Sequence, residues 1–200
     1  MNDHYFSADP GSPERRQTIV ATVWGRSVEL TTATGVFSAG RLDIGTGVLF
    51  RILDPPTRPG RFLDLGCGYG VIACALALTV EDAEVWAVDV NERALALCAE
   101  NAAALGVGER VFPATGDDVP ADVEFDEIWS NPPIRIGKAA LHDLLLRWLP
   151  RLVVGGRAIL VVGRNLGADS LQRWLIGAGY PCERVGSAKG FRVLRASRAT

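Results

Sequence analysis

Cysteine and histidine are scarce in this chain of 200 residues, and their placing excludes several kinds of chemistry. The four cysteines, Cys67, Cys74, Cys98 and Cys182, form no C-x-x-C pair, so neither a structural zinc site nor a disulfide framework is expected. Cys74 and Cys98 fall in helical patterns and read as buried free thiols in a reduced, cytoplasmic setting. The two histidines are His4 and His142, the latter inside a helical pattern and read as structural, so the chemistry is sought without a histidine base. No apolar run reaches the roughly 18 residues of a membrane span. Met1-Asn2-Asp3-His4 has neither the basic cap nor the apolar core of a secretory signal. Internal repeats and low-complexity tracts are also missing.

What is present is an ordinary globular balance, with 48% hydrophobic and 22% charged residues and a net charge of −2. That sum argues against indiscriminate coating of nucleic acid. It conceals a split: residues 81–130 carry 13 acidic and 2 basic side chains, whereas residues 131–200 carry 12 basic and 3 acidic ones. Such a split offers phosphate one attractive side, unless the arginines are simply solvated on separate faces.

Residues 1–16 are polar, contain Pro10, Gly11 and Pro13, and are expected to form a flexible arm; residues 17–200 are expected to form one domain. Thr18–Trp24 and Ser27–Thr31 flank Gly25-Arg26 and read as a β-hairpin, and Leu42–Leu53 as a short helix stopped by Asp54-Pro55-Pro56. From residue 61 the pattern alternates. Strands are expected at Arg61–Leu65, Glu84–Asp89, Val111–Ala114, Asp126–Ser130 and Arg157–Val162. Helices are expected at Val71–Val80, Glu92–Leu105, Lys138–Val154 and Asp169–Ile176. Two last runs, Cys182–Val185 and Phe191–Arg195, are too close for a crossover helix and should pair antiparallel at the edge. The expected fold is therefore α/β: a mostly parallel seven-stranded sheet with an antiparallel terminal strand, helices on both faces and an N-terminal β-hairpin.

Asp64-Leu65-Gly66-Cys67-Gly68-Tyr69-Gly70 stands where the first strand of this core turns into its helix. Glycines allow the sharp turn and the close approach of a ligand, and this position faces the ligand crevice of open α/β sheets. Asp89 ends the next strand, placed to accept hydrogen bonds from ribose hydroxyls. Val71 stands where a dinucleotide fingerprint would carry its last glycine, which disfavours a nicotinamide dehydrogenase.

The fourth strand runs into Ser130-Asn131-Pro132-Pro133-Ile134. An exocyclic amine or side-chain amide is a poor nucleophile because its lone pair is delocalised. Two acceptors, the Asn131 side-chain oxygen and the Pro132 carbonyl, could draw its nitrogen toward tetrahedral geometry, with Pro133 stiffening the loop. Positioning would then supply much of the acceleration.

The glycine motif resembles the first motif of Rossmann-like, class I methyltransferases that use S-adenosylmethionine. Ser130-Asn131-Pro132-Pro133-Ile134-Arg135-Ile136-Gly137-Lys138 is similar to the corresponding run of the methyltransferase small domain family, in its single-domain branch of small-subunit ribosomal RNA guanine-N2 methyltransferases. Gly35-Val36-Phe37-Ser38, Leu42-Asp43-Ile44-Gly45-Thr46 and, more weakly, His4-Tyr5-Phe6-Ser7 extend the likeness over nearly the whole chain. The resemblance implies cofactor contacts from Thr46, Asp64, Gly66, Cys67, Gly68, Gly70, Asp89, Val90, Gly116, Asp117 and Asn131, with Asp118 an alternative to Asp117 beside the adenine. It implies catalysis at Asn131, Pro132, Pro133 and Ile134, and substrate contacts from Phe37, Asp43, Arg135 and Lys138. It implies no metal, an RNA acceptor (ribosomal RNA or the small subunit), and a monomer or dimer. Two departures stand out: Ile134 replaces the aromatic usual in relatives that methylate adenine or glutamine, and the extra N-terminal domain of longer members is missing. A glutamine-N5 protein methyltransferase and a non-catalytic cofactor- or RNA-binding module are the competing readings.

Overall fold

The computed structural model describes residues 13–133 and 136–199. The arm expected over residues 1–16 therefore lies outside the described residues as far as residue 12, and Arg16 already opens the first strand.

Strands β1 (Arg16–Val23) and β2 (Arg26–Ala33) form a separate two-stranded hairpin. The rest alternates as β3 (Arg61–Leu65), α2 (Val71–Thr79), β4 (Glu84–Val88), α3 (Glu92–Ala104), β5 (Val111–Ala114), β6 (Phe125–Ser130), α4 (Lys138–Trp148), β7 (Leu152–Gly163), α5 (Ala168–Gly177), β8 (Cys182–Ala188) and β9 (Phe191–Ser197). Helix α1 (Ile44–Ile52) joins the hairpin to this core. The seven core strands are ordered β5-β4-β3-β6-β7-β9-β8, and only β9 runs against its neighbours. This is the expected Rossmann-like sheet with one antiparallel strand.

The chain reverses the direction in which it adds strands between β3 and β6, and the crevice at such a switch point is where open α/β sheets bind ligands. Alternation along the strands explains the two-sided core. On β7, Ile159 and Val161 face the layer containing α1, α2, α3 and the hairpin, whereas Ala158, Leu160 and Val162 face α4 and α5. Helix α2 is apolar all round, with Val71 through Ala77 buried, because it is covered on every side.

Two details differ from the sequence reading. The helix expected to run from Lys138 to Val154 ends at Trp148, and a 3-10 turn over Leu149–Arg151 leads directly into β7. Pro150 supplies no amide donor, and Val153-Val154 are β-branched, so the apolar run continues as strand rather than helix. The hairpin turn is Trp24-Gly25, not Gly25-Arg26, since Val23 pairs with Arg26. Both turn residues have positive φ, as a two-residue hairpin turn of this hand requires. Trp24 is held there by its own ring: Nε1 donates to the Leu53 carbonyl at 2.7 Å, and the indole meets Phe50 and Trp129 edge-on.

Candidate active site

The glycine loop is fixed by the strand beside it. Gly66 N and Cys67 N both donate to the Val88 carbonyl, at 2.8 and 3.0 Å. Gly70 then begins α2 with φ +88, and a Cβ there would lie 2.5 Å from Cys98 Sγ, so only glycine lets α2 and α3 close on each other. Above Gly68 no described residue lies within 4 Å of the Cβ direction: the loop presents bare backbone to the crevice. Cys67, Cys74 and Cys98 are free and buried, and burial pushes the Cys67 and Cys74 thiols well above their ordinary range. They pack rather than react.

Two carboxylates organise this half. Asp89 accepts from Gly68 N at 2.9 Å and Asn91 N at 3.0 Å; its burial raises its pKa, and the backbone donors oppose that rise. Asp64 accepts from Ala73 N at 2.9 Å through Oδ2, while its buried Oδ1 has no partner among the described residues. Desolvation lifts the Asp64 carboxyl to about 8.

Asn131 is placed by three contacts. Ser130 Oγ, fully buried, donates to the Leu65 carbonyl at 2.6 Å and ties the end of β6 to the end of β3. Asn131 Nδ2 then donates to Asp43 Oδ2 at 2.7 Å and to Thr46 Oγ1 at 3.1 Å. Asp43 also caps α1, accepting from Thr46 N at 3.1 Å. Both donor hydrogens of the amide are thus engaged, leaving Oδ1 as an acceptor. Gly66 lies against the loop, its Cβ direction 3.8 Å from Pro133 Cδ.

Phe37, Ser38, Thr46, Gly66, Cys67, Gly68, Tyr69, Val71, Ile72 and Asn131 line one narrow crevice of about 30 Å³. A larger depression, about 440 Å³, lies at the opposite end of the sheet among Arg61, Asp82, Glu84, Asp122, Glu124 and Asp126, at the amino ends of the strands. The smaller crevice holds the motifs and sits at the switch point, so the chemistry is assigned there.

Phe37, Thr46, Gly66, Cys67, Gly68 and Asn131 therefore meet at one place, while Asp43 stands behind Asn131 rather than among the lining residues. Pro132 is buried and Pro133 half-buried beside the loop; Val90 is exposed next to Asp89. Gly116, Asp117 and Asp118 follow β5, but their bonds run elsewhere: Arg147 donates to the Gly116 carbonyl and, at 2.7 Å, to Asp117, while Thr115 Oγ1 donates to Asp118. Lys138 is exposed at the start of α4, outside the lining. Ile134 and Arg135 lie outside the described residues.

Sequence reasoning missed Ser130 as a strand tie, and it missed Asn91 and Asn101. Asn101 Nδ2 donates to the Tyr69 and Thr31 carbonyls at 2.9 and 2.8 Å, binding the glycine loop to the hairpin. Asn91 Nδ2 donates to the Gly35 carbonyl at 2.8 Å, anchoring the loop that carries Phe37. A polar amide within an otherwise apolar helix stripe was the signal available for Asn101.

This switch-point crevice, with a glycine loop on one wall and an Asn-Pro-Pro turn on the other, defines the class: the Rossmann-like fold of S-adenosylmethionine-dependent methyltransferases. The chain belongs to the methyltransferase small domain family, whose model matches residues 27–195. It is 30% identical over 200 residues to the uncharacterized protein YbxB of Bacillus subtilis, covering 99% of this chain and 100% of that one. It is 40% identical over 136 residues to ribosomal RNA small subunit methyltransferase C of Shewanella loihica, spanning 66% of this chain but 39% of that protein. Among solved structures, the T. thermophilus 16S rRNA N2 G1207 methyltransferase (RsmC), in complex with AdoMet and guanosine, superposes with a TM-score of 0.79 at 25% identity, over 93% of this chain and 51% of that one. The chain thus spans about half of one of these two methyltransferases and 39% of the other.

Proposed function

We propose that the protein transfers a methyl group from S-adenosylmethionine to an exocyclic nitrogen, the N2 amine of a guanine in small-subunit ribosomal RNA. The observation that carries this reading is the Asn131 amide, locked by Asp43 and Thr46 with its oxygen left to accept, beside the bare backbone of the glycine loop. The residues present fit the cofactor. Gly68 leaves room for it, and the unpartnered Asp64 Oδ1 and the Asp89 carboxylate offer acceptors to a cationic ligand bearing ribose hydroxyls. Phe37, Val71 and Ile72 supply apolar walls. When bound, S-adenosylmethionine supplies an activated methyl group, passed by in-line displacement as the S–C bond breaks, the N–C bond forms and the amine's proton leaves to solvent.

The chain's own residues orient the acceptor. Asn131 Oδ1 and the Pro132 carbonyl accept from the two amine hydrogens and offset the positive charge that grows on nitrogen. Asp43 and Thr46 keep the amide from rotating its NH2 group toward the acceptor. Cofactor contacts fall to Asp64, Gly66, Cys67, Gly68, Gly70, Asp89, Val90 and Thr46. In this reading Asp43 acts through Asn131 rather than on the substrate. The RNA acceptor draws its support from the two ribosomal RNA methyltransferases to which the chain is similar.

The test is transfer of radiolabelled methyl to unmethylated small ribosomal subunits, protein-free ribosomal RNA and a release factor, followed by nucleoside analysis. N2-methylguanosine is the expected product. Label confined to the release factor would replace this reading with the glutamine one.

A further inference from the structure

Six of the eleven described basic residues in the block 131–200 are engaged within the fold. Arg157 pairs with Glu127, Arg198 with Glu124, Arg147 with Asp117, Arg192 with Asp169 and Arg195 with Glu183. Arg151 is spent on the Pro120 and Val123 carbonyls. Among the described residues of that block, Lys138, Arg164, Arg173, Arg184 and Lys189 have exposed side chains with no ion pair. Two of these five, Arg164 and Lys189, stand side by side, and Lys138 opens a helix at the same end of the sheet.

Arg164 follows the last residue of β7, at the carboxyl end of the sheet. Lys189 sits in the two-residue turn between β8 and β9, and Arg164 N donates to the Gly190 carbonyl of that turn at 2.8 Å. The next residue, Phe191, presses its ring on α1: a Cβ on Gly45 would lie 2.9 Å from it and 2.9 Å from Asp43 Oδ2. This turn is therefore adjacent to the Asp43–Asn131 pair. Arg41, also exposed and without an ion pair among the described residues, lies on the loop before α1, its carbonyl accepting from Ser38 Oγ at 2.7 Å beside the crevice. Lys138 opens α4 just after the Asn-Pro-Pro turn. Asp169, on the nearby α5, is already paired with Arg192. The exposed Ile44 and Leu166 add apolar surface between the cations.

We infer that Arg164 and Lys189 on the β7–β9 side, Arg41 on the loop before α1 and Lys138 at the start of α4 form a cationic rim around the crevice that grips the phosphates of single-stranded RNA flanking the target guanine. The inference rests on the RNA reading above. Phosphates are the partner of matching chemistry: four cations spread over separate loops fit a polyanionic strand, whereas a compact acidic side chain would need a convergent pocket. Phosphate contacts fix the register of the strand and leave base choice to the crevice.

The test uses the full chain, saturated with S-adenosylhomocysteine, and a fluorescein-labelled single-stranded RNA of roughly 20 nucleotides. Anisotropy titrations between about 50 and 200 mM salt give both Kd and its salt slope. The triple variant R41A/R164A/K189A should lower the slope by about 2, at roughly 0.7 per lost phosphate contact, and raise Kd about tenfold or more. Its affinity for S-adenosylhomocysteine should stay within about twofold, which certifies the fold, and R173A/R184A should bind RNA nearly as the unaltered protein does. Wild-type Kd and slope in the triple variant would overturn the rim while leaving the RNA reading intact. Failure of the unaltered protein to bind or methylate RNA at any salt would overturn both.

Discussion

The carboxyl ends of the strands form two unlike half-rims, divided at the switch point between β3 and β6. On the β3–β4–β5 side stand Asp64, Asp89, Asp117 and Asp118, with Arg147 covering one of them. On the β7–β9 side stand Arg164 and Lys189, and Asp169 there is neutralised by Arg192. Asn131 sits on the boundary. The overall charge of −2 hides this arrangement because pairs such as Arg157–Glu127 and Arg198–Glu124 stitch the acidic and basic blocks together. What matters is the charge left over after pairing, and it is sorted by which ligand each half would meet.

The sharpest way to break the comparison is at its boundary. Asn131→Ala should lower methyl transfer by about a thousandfold or more while cofactor and RNA affinities stay within a few-fold, since the lost oxygen acts on the developing charge. Single-turnover transfer and calorimetric binding separate these quantities; full activity would remove Asn131 from the mechanism. Asp89→Ala should act on one half alone. Losing hydrogen bonds to a charged acceptor, each about 1.5–3 kcal/mol, predicts cofactor binding weakened on the order of 100-fold, with RNA affinity unchanged.

Asp43→Ala tests whether the boundary is held from behind. Turnover should fall about 10- to 100-fold, with little change in RNA affinity, because Asn131 then loses the acceptor that sets its orientation. Loss of the α1 cap should also cost about 1 kcal/mol, visible as a lower Tm. Asp43→Asn should retain the cap and recover part of the turnover; a purely structural role for Asp43 would show full turnover in this variant.

The smallest expected effect is a pH dependence confined to the acidic half. In the ligand-free fold Asp64 is raised to about 8 by burial, so it is mostly protonated at neutral pH. A cationic ligand favours its ionised form, hence cofactor affinity should rise with pH, levelling above about 8, with about one proton released on binding at pH 7. Conversely, a carboxyl whose folded value lies above its unfolded one of about 3.9 makes the ligand-free protein lose stability as pH rises from about 4 to about 8. Calorimetry in buffers of different ionisation enthalpy counts the proton, and Asp64→Asn should abolish it. RNA binding should show no such step.

The sequence made the sheet and both walls of the crevice legible because these are local patterns: alternating strands and helices, Asp64–Gly70, and Ser130–Pro133. Boundaries failed where two local signals conflicted, as at Leu149-Pro150, where a helical apolar run meets a residue that cannot continue it. The partner of each polar side chain was not legible. Nothing near Asn131 announces that its amide binds Asp43 and Thr46, and nothing near Asp117 announces that its carboxylate meets Arg147. Hydrogen bonds between distant elements leave no periodic trace. The charge blocks were visible, but which cations remained unpaired became visible only with the pairs.

The hydrogen bond from Asn131 to Asp43 spans 88 positions of the chain. Contacts of such separation carry the loop-closure cost of the segment between them and favour slow folding routes. A chain whose hairpin and α1 have yet to dock on the sheet can possess every strand of the Rossmann core and still leave the amide of Asn131 free to turn. Methyl transfer in this protein would then appear late in refolding, after secondary structure is complete, so that its recovery times the docking of the first helix.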